Sequence, residues 1–514
     1  MARATLVAFT GVLLIGLVQS APLTSTSVNT LAQSLMGTVL SYNVTGEPPE
    51  QMSPAFGLWT LLEEGPDPYV KPSEPALYIQ AQDVNDVVES LRFAADHSLR
   101  AATYAAGHQV VGVSLLPNGV VIDTKNLTAI DVNPDSQTAY VQAGVDGQEL
   151  CEATALYNLF WPTGHLGSVG VAGIALGGGL GIGSNRVGPS VDSVLGIDVV
   201  STWQNSTADW DIVRINASSH SDLFWGMLGG GSMLATAVGF ELQLHTLPEG
   251  GMLEQGTAIW PLPAGLEAFQ WYNDWKETAP SALETEFATA TTPMGAVATV
   301  SFTNWDPANS SDVNEAIEAF TSGAVEAGAL EVVPDTVDLI GFLAGYTARI
   351  PPGPISYYIN DRFLLTVPDE LAESLLSLYA NATSPYSVLL IAPAPPSVAG
   401  RNNSDTAFGY RDTWYIWVWP FWLRTAGGAA ADGDAEHIAW AAEGGEILDI
   451  YALGHYINMN RFDTPGSTKS CFPPPNWTRL QQVKKAYDPH NLFRPLDYYR
   501  TDDGFSGIAG DADY

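Results

Sequence analysis

The sequence predicts an α+β protein with more than one domain, and three observations lead there. Apolar runs with helix and strand periodicity alternate, but without the long regular spacing of a doubly wound parallel sheet. The 514 residues are enough for two or more sizeable cores. A Pro/Gly break at 247–251 (LPEGG) separates two differently patterned stretches.

Taken in order, residues 1–20 read as a secretory signal. Arg3 is a short basic start, residues 6–18 are an apolar run, and Val18 and Ser20 precede a cleavage site at Ala21. The run is too short to span a bilayer, and no later segment reaches eighteen apolar residues. Residues 21–70, rich in Pro, Gly and Ser, read as an N-terminal arm. A strand follows at 76–79, and Asp83 caps a helix whose Val84, Val87, Val88, Leu91 and Ala95 share one face. A short strand leads into His108, with strands at 120–122 and 139–145 and a helix at 148–159. After a glycine-rich run come a strand at 194–200, a segment from Asp222 to glycines 229–231, and a strand at 240–245; the first domain is expected to span 71–250. The second, 251–450, mixes helices at 266–277, 313–328, 368–380 and 435–451 with strands at 296–302 and 413–419. The last of these opens TWYIWVWPFW (413–422), read as a buried strand with one or two rings lining a pocket. In the final helix Leu480, Val483 and Tyr487 point inward, and Lys484, Asp488 and Pro489 read as structural.

Fifty-six acidic residues against twenty basic ones give a net charge of −36. This argues against nucleic acid and anionic membranes as partners and favours neutral or cationic substrates. Eight sequons, at Asn43, Asn126, Asn205, Asn216, Asn309, Asn381, Asn402 and Asn476, fit secretion and predict surface N-glycans. Cys151 and Cys471 are either one disulfide or two buried thiols. The eight histidines show no HxH or HxxxH spacing, so no metal site is expected.

The chemistry concentrates at 163–181, TGHLGSVGVAGIALGGGLG, where eight of nineteen residues are glycine. Backbone without Cβ atoms admits positive φ and lets a flat or charged ligand approach closely, a use of glycine that a packed core would not make. About sixty residues earlier, Tyr104, Ala105, Ala106, Gly107, His108 and Gln109 form a small-residue turn. Its N–H groups, with those from Gly164 onward, suit a pyrophosphate nest, and His108 is the reactive handle. This is not the GxGxxG-then-helix fingerprint, so NAD is not expected.

Four ordered blocks then carry a resemblance: Gly107-His108, VGVAGIALGGGLG (169–181), DLFW (222–225), and YIN (456–458) followed by RLQQVKKAYDPHNLF (479–493). The chain resembles the berberine-bridge-enzyme-like branch of the vanillyl-alcohol-oxidase flavoprotein superfamily over roughly 75–250 and 450–495. The resemblance implies a two-part FAD-binding domain, to which 451–514 return, plus an α+β substrate domain with an antiparallel sheet. It implies FAD bonded covalently through His108 as an 8α-histidyl link. Gly164, His165, Val169, Gly170 and Gly173 then line the cofactor, with Gly177, Gly178, Gly179 and Gly181 beyond them and Val200 and Asn458 beside them. Relatives carry a second tether on a cysteine where this chain has Leu166, so a single tether is expected. Val169 stands at a position that governs oxygen access, and a small residue there favours an oxidase. Ala235-Thr236-Ala237 departs from the family's Asn-Phe-Gly.

Tyr456 matches the family's base, which takes the substrate hydroxyl proton as hydride leaves the carbon. That role requires a pKa below the phenol's usual ~10. Asn458 is expected to bond the flavin or the phenol, with His455, Arg411 and His165 as supporting groups. The expectation is a secreted FAD-dependent oxidase acting on a CH–OH donor and reducing O2 to H2O2. A sugar or oligosaccharide oxidised to a lactone is the first choice. Alternatives are an aromatic alcohol or secondary metabolite, a quinone-dependent dehydrogenase, or a non-catalytic flavin-binding glycoprotein.

Overall fold

The computed structural model describes residues 23–41, 75–200, 203, 210–350, 355–398, 400–423, 434–501 and 504–507. The signal segment 1–20, Asn43 and Asn205 lie outside them.

Three sheets carry the fold. In the first, Leu77–Gln80, Val120–Asp123 and Ala101–Tyr104 run parallel, with Thr38–Ser41 antiparallel at the edge. Asp83 caps helix Val84–Asp96 by accepting from the Asp86 amide, and Val87, Leu91 and Ala94 are buried against this sheet. The expected arm is partly built into the fold. Thr24 caps helix Ser25–Ser34, whose Val28 and Leu31 join the core of Leu77 and Ile79. The second sheet is antiparallel, in the order Ile130–Asn133, Thr138–Gln142, Thr236–Gln243, Val194–Val200, Ile212–Asn216. The helix expected over 148–159 is Gly147–Ala155 and stops early. Asn158 turns the chain at φ 57°, and Leu159–Phe160 pairs with His245–Thr246 instead.

The third sheet has eight antiparallel strands. Its centre pairs Gly295–Asn304, Leu283–Thr292, Val388–Pro393 and Trp414–Trp419. One face is covered by helices Gly265–Lys276, Ser311–Glu326, Asp369–Ala380 and Asp434–Asp449, which pack Phe269, Phe320, Leu375 and Trp440 onto Phe287, Val300, Ile391 and Ile416. Burying each such side chain stabilises by about 1.5–3 kcal/mol. Because side chains alternate along a strand, the other face receives Glu284, Glu286, Ser301 and Thr303 on one half. Val388, Leu390, Ala392, Tyr415, Trp417 and Trp419 form its other half. In register, Glu284 faces Thr303 and Glu286 faces Ser301, while Leu390 faces Trp417 and Ala392 faces Tyr415. The TWYIWVW strand is therefore divided: Trp414, Ile416 and Val418 enter the helical core and the odd-numbered rings turn to a cavity.

The chain then runs back across the first half. Helix Pro474–Tyr487 sets Leu480 and Val483 against Gly226 and Gly230 of helix Ser221–Gly230, and Phe493 enters the core of the first sheet. Buried Lys484 bonds Asp488 and the carbonyls of Met233 and Arg494, and Asp488 accepts from the Leu492 and Phe493 amides. Cys151 and Cys471 are free, buried thiols in separate cores. Asn126, Asn309, Asn381 and Asn402 are exposed and Asn216 is half-buried, but the sequon at Asn476 is a correction. That side chain is 4% exposed and donates to the carbonyls of Asn403, Thr406 and Ala407, so it offers no amide for a glycan.

Candidate active site

Between the glycine-rich run and the open face of the eight-stranded sheet lies a cavity of about 470 Å³. Ala105, Ala106, Gly107, His108 and Gln109 line it, as do Gly164, His165, Val169, Gly170, Gly173, Gly177 and Gly181. Gly107 turns at φ 76°, a conformation that favours glycine, and so presents His108 to the cavity. Helix Val171–Gly177 runs along the wall.

Not every residue expected there arrives. Tyr104 is buried in the core edge-on to Tyr78, and Val200 packs among the first sheet's core residues. Gly178 and Gly179 face away from the cavity. A Cβ on Gly178 would lie 2.4 Å from the Phe408 ring, and one on Gly179 would collide with Ser190. The run is therefore two-sided: part cavity wall, part close packing. Gly177 does both, since a Cβ there would come 2.3 Å from both amide atoms of Asn458.

His108 is half-buried, and its Nε2 lies 2.9 Å from Ser168 Oγ. Loss of water around the ring pulls its pKa down to about 4, so the imidazole is neutral at neutral pH. Tyr456 lines the cavity and meets Asn458 as expected. Its oxygen accepts from the Gly179 amide (3.1 Å) and from Asn458 Nδ2 (3.0 Å), while Asn458 also donates to the Gly173 carbonyl. Burial nevertheless pushes the phenol up to about 12, opposed by the Gly179, Asn458 and Leu180 bonds and reinforced by Asp361. The N–H donors from Gly179 and Asn458 act in the direction that the base role requires, and burial acts against it.

His455 stands behind Tyr456, 3.3 Å from Asp361 Oδ1, and Asp361 also takes the Tyr456 amide and the Tyr415 hydroxyl. Arg411 supports the fold from outside the cavity wall. It is buried against Asp192 and bonds the Phe408 carbonyl and Thr406, fixing the loop that inserts Phe408 at Gly178.

His165 does reach the cavity, in company that sequence reasoning missed. Its Nε2 lies 2.7 Å from Glu284 Oε1, and the other Glu284 oxygen accepts from the Gly183 amide. Beside this pair, Glu286 takes Arg349 at 3.0 Å and the hydroxyls of Ser301 and Tyr346. The indole N–H of Trp419, on the aromatic half of the same face, is buried without an acceptor among the described residues. Buried Arg494 also lines the cavity, with its guanidinium over the Tyr498 ring. Among the described residues no cluster of His, Cys, Asp and Glu suits a metal ion.

Comparison with known proteins matches residues 75–204 to an FAD binding domain and 455–495 to the berberine and berberine-like domain. The FAD-linked oxidoreductase YgaK of Bacillus subtilis is 24% identical over 433 residues, 82% of this chain and 90% of its own length. Among solved structures, 6-hydroxy-D-nicotine oxidase from Arthrobacter nicotinovorans superposes with a TM-score of 0.73 at 21% identity, covering 90% of this chain and 97% of that one. Glucooligosaccharide oxidase from Acremonium strictum, whose FAD is described as 6-S-cysteinyl, 8α-N1-histidyl, gives 0.71 at 18%, covering 91% and 98%.

Proposed function

Because the chain is a berberine-bridge-enzyme-like flavoprotein of the vanillyl-alcohol-oxidase superfamily, and an FAD-dependent oxidoreductase, we propose that it is a secreted oxidase of CH–OH donors, with sugars or oligosaccharides as substrates and O2 as electron acceptor. One observation carries this reading: bare glycine backbone and a neutral His108 face a sheet wall that is half hydroxyl- and charge-bearing, half aromatic. A sugar ring matches both halves, stacking its C–H face on Trp417 or Trp419 and bonding its hydroxyls to the polar side.

The cavity suits FAD. A Cβ on Gly173 would meet nothing within 4 Å, so backbone there is open to a flat ring, and Arg494 brings buried positive charge suited to a diphosphate. Bound FAD supplies a two-electron acceptor for substrate hydride. His108 holds it: with Nε2 engaged by Ser168, Nδ1 remains for a bond to the 8α carbon, the linkage named for the Acremonium enzyme. Leu166 lines the same wall with no thiol, which supports a single tether. Val169, small and on the cavity, supports access for O2. The polar wall orients the substrate hydroxyls, and closely packed Phe408 and Tyr415 exclude water behind Tyr456. Residues 1–20 and the exposed sequons support secretion and N-glycosylation.

An aromatic alcohol is the second reading, favoured by the apolar half of the wall (Ile350, Ile355, Leu390, Phe421) and by the likeness to 6-hydroxy-D-nicotine oxidase. A panel of sugars and aryl alcohols, read by peroxide release with a dye acceptor in parallel, decides between them. Peroxide from sugars alone supports the first reading. Turnover of aryl alcohols alone replaces it, and dye reduction without peroxide removes the oxidase assignment. Flavin lost from the denatured chain would refute the His108 tether.

A further inference from the structure

We propose that His165, oriented by Glu284, accepts the proton of the substrate hydroxyl, a role that the family motif assigns to Tyr456. The inference rests on the CH–OH oxidase reading above and names the residue that serves it. Three observations lead to it.

First, the pair fixes which ring nitrogen donates. A carboxylate only accepts, so at the 2.7 Å contact His165 Nε2 is the donor, and in the neutral imidazole the lone pair then lies on Nδ1. Glu284 is itself anchored by the Gly183 amide, and the imidazole leans on the Tyr346 ring at 4.7 Å between centroids. Among the described residues Nδ1 has no protein partner, so a basic nitrogen stands ready on a cavity wall. Carboxylate, imidazole and open lone pair make up a general-base arrangement.

Second, His165 lies on the wall where FAD would be held. His165 adjoins Leu166, and both line the cavity next to Val169, the expected oxygen gate. The matching tether in the Acremonium enzyme joins flavin carbon 6, which neighbours the hydride-accepting nitrogen of the ring. Third, the alternative acceptor is occupied. The Tyr456 oxygen already accepts N–H donors from Gly179 and Asn458, which take up its lone pairs.

The step balances as follows. The substrate C–H bond breaks with its electron pair, which passes as hydride to oxidised FAD. The O–H bond breaks toward His165 Nδ1, giving an imidazolium, and the carbon–oxygen double bond forms. The groups facing the ring are Glu284, Glu286, Arg349 and Tyr346. Glu286 is satisfied by Arg349, so one carboxylate remains for the imidazolium.

The test uses flavinylated His165→Ala, His165→Gln and Tyr456→Phe, with anaerobic flavin reduction followed across pH. The expected result is unchanged flavin content and half-saturating substrate within about threefold. Reduction in the His165 variants should fall about 100-fold or more. Their rate should also lose the fall toward low pH that an imidazole base implies for the wild type, and added imidazole should restore His165→Ala. Tyr456→Phe keeps the pH profile and gains nothing from imidazole. Should either His165 variant lose flavin, Glu284→Gln retains the imidazole and is expected to slow reduction about tenfold. The proposal is overturned if His165→Gln reduces within threefold of wild type, or if imidazole rescues nothing. A wild type that no tested alcohol reduces overturns the oxidase reading, and this one with it.

Discussion

Replacing Arg411 by Met tests whether this residue serves the fold or the chemistry. The guanidinium is 0% exposed and Asp192 2%, with Nη2 2.6 Å from Oδ1 and Nε 3.2 Å from Oδ2. Further bonds reach the Phe408 carbonyl at 2.7 Å and Thr406 Oγ1 at 2.9 Å. Met keeps most of the aliphatic volume but leaves Asp192 charged, buried and without its main partner. Such a broken pair costs about 3–5 kcal/mol, and the stranded Phe408 carbonyl about 1–3 more. Arg401, 3.9 Å from Asp192 Oδ1, offsets part of this by swinging in. The net expectation is about 4 kcal/mol, read as a lowered urea midpoint at unchanged slope. Adding Asp192→Asn removes the stranded charge and should recover about half. Flavin reduction in the protein that remains folded should stay within about threefold. A loss below about 1 kcal/mol, or a 100-fold slower reduction at unchanged midpoint, would falsify the anchoring role.

Three further outcomes are expected. Gly177→Ala forces the Asn458 amide from a position 2.3 Å from the new Cβ, breaking its bonds to Tyr456 and Gly173; a loss of about 1–3 kcal/mol and less bound flavin per chain should follow, and full flavin at wild-type stability would count against the close approach. Burial pulls His245 down to about 4, so between its unfolded value near ~6.5 and that pH the unfolded chain binds more protons, and stability falls as pH drops through this window, by at most about 3 kcal/mol. His245→Gln should therefore shrink the difference in urea midpoint between pH 7 and pH 4.5, and an unchanged difference would assign the acid sensitivity elsewhere. Glycopeptide mass spectrometry of protein from a glycosylating host should find no glycan at Asn476, whereas Asn476→Gln should cost about 1–3 kcal/mol as three carbonyls lose their donor.

What could be read from the sequence was local. Asp83 caps its helix because its side chain meets an amide three residues on, and Val194–Val200 is apolar enough to announce a strand by itself. Gly107-His108 and the glycine run were legible because bare backbone next to one histidine has few other uses. Strand Leu283–Thr292 was missed because its buried positions alternate Leu283, Thr285, Phe287, Thr289, and two threonines blunt the apolar period. Glu284 and Glu286 then look like an ordinary solvated face. Only the tertiary arrangement, which brings Glu284 to His165 across 119 positions, makes them a wall. Arg411 and Asp192, 219 positions apart, were unreadable for the same reason. For Tyr456 the motif was visible, but its burial and the N–H donors that meet its oxygen were not.

The insertion of Phe408 beside Gly178 bears on how the molecule can be dissected. The ring and its loop belong to the second half of the sequence, yet they fill a notch in the first, and the Phe408 amide bonds the Leu228 carbonyl. A fragment ending near residue 250 would keep every glycine of the run while exposing that notch to water. The first half thus leaves part of its packing to the second, and ribosomal synthesis must reach the loop at 402–411 before the notch beside Gly178 is filled.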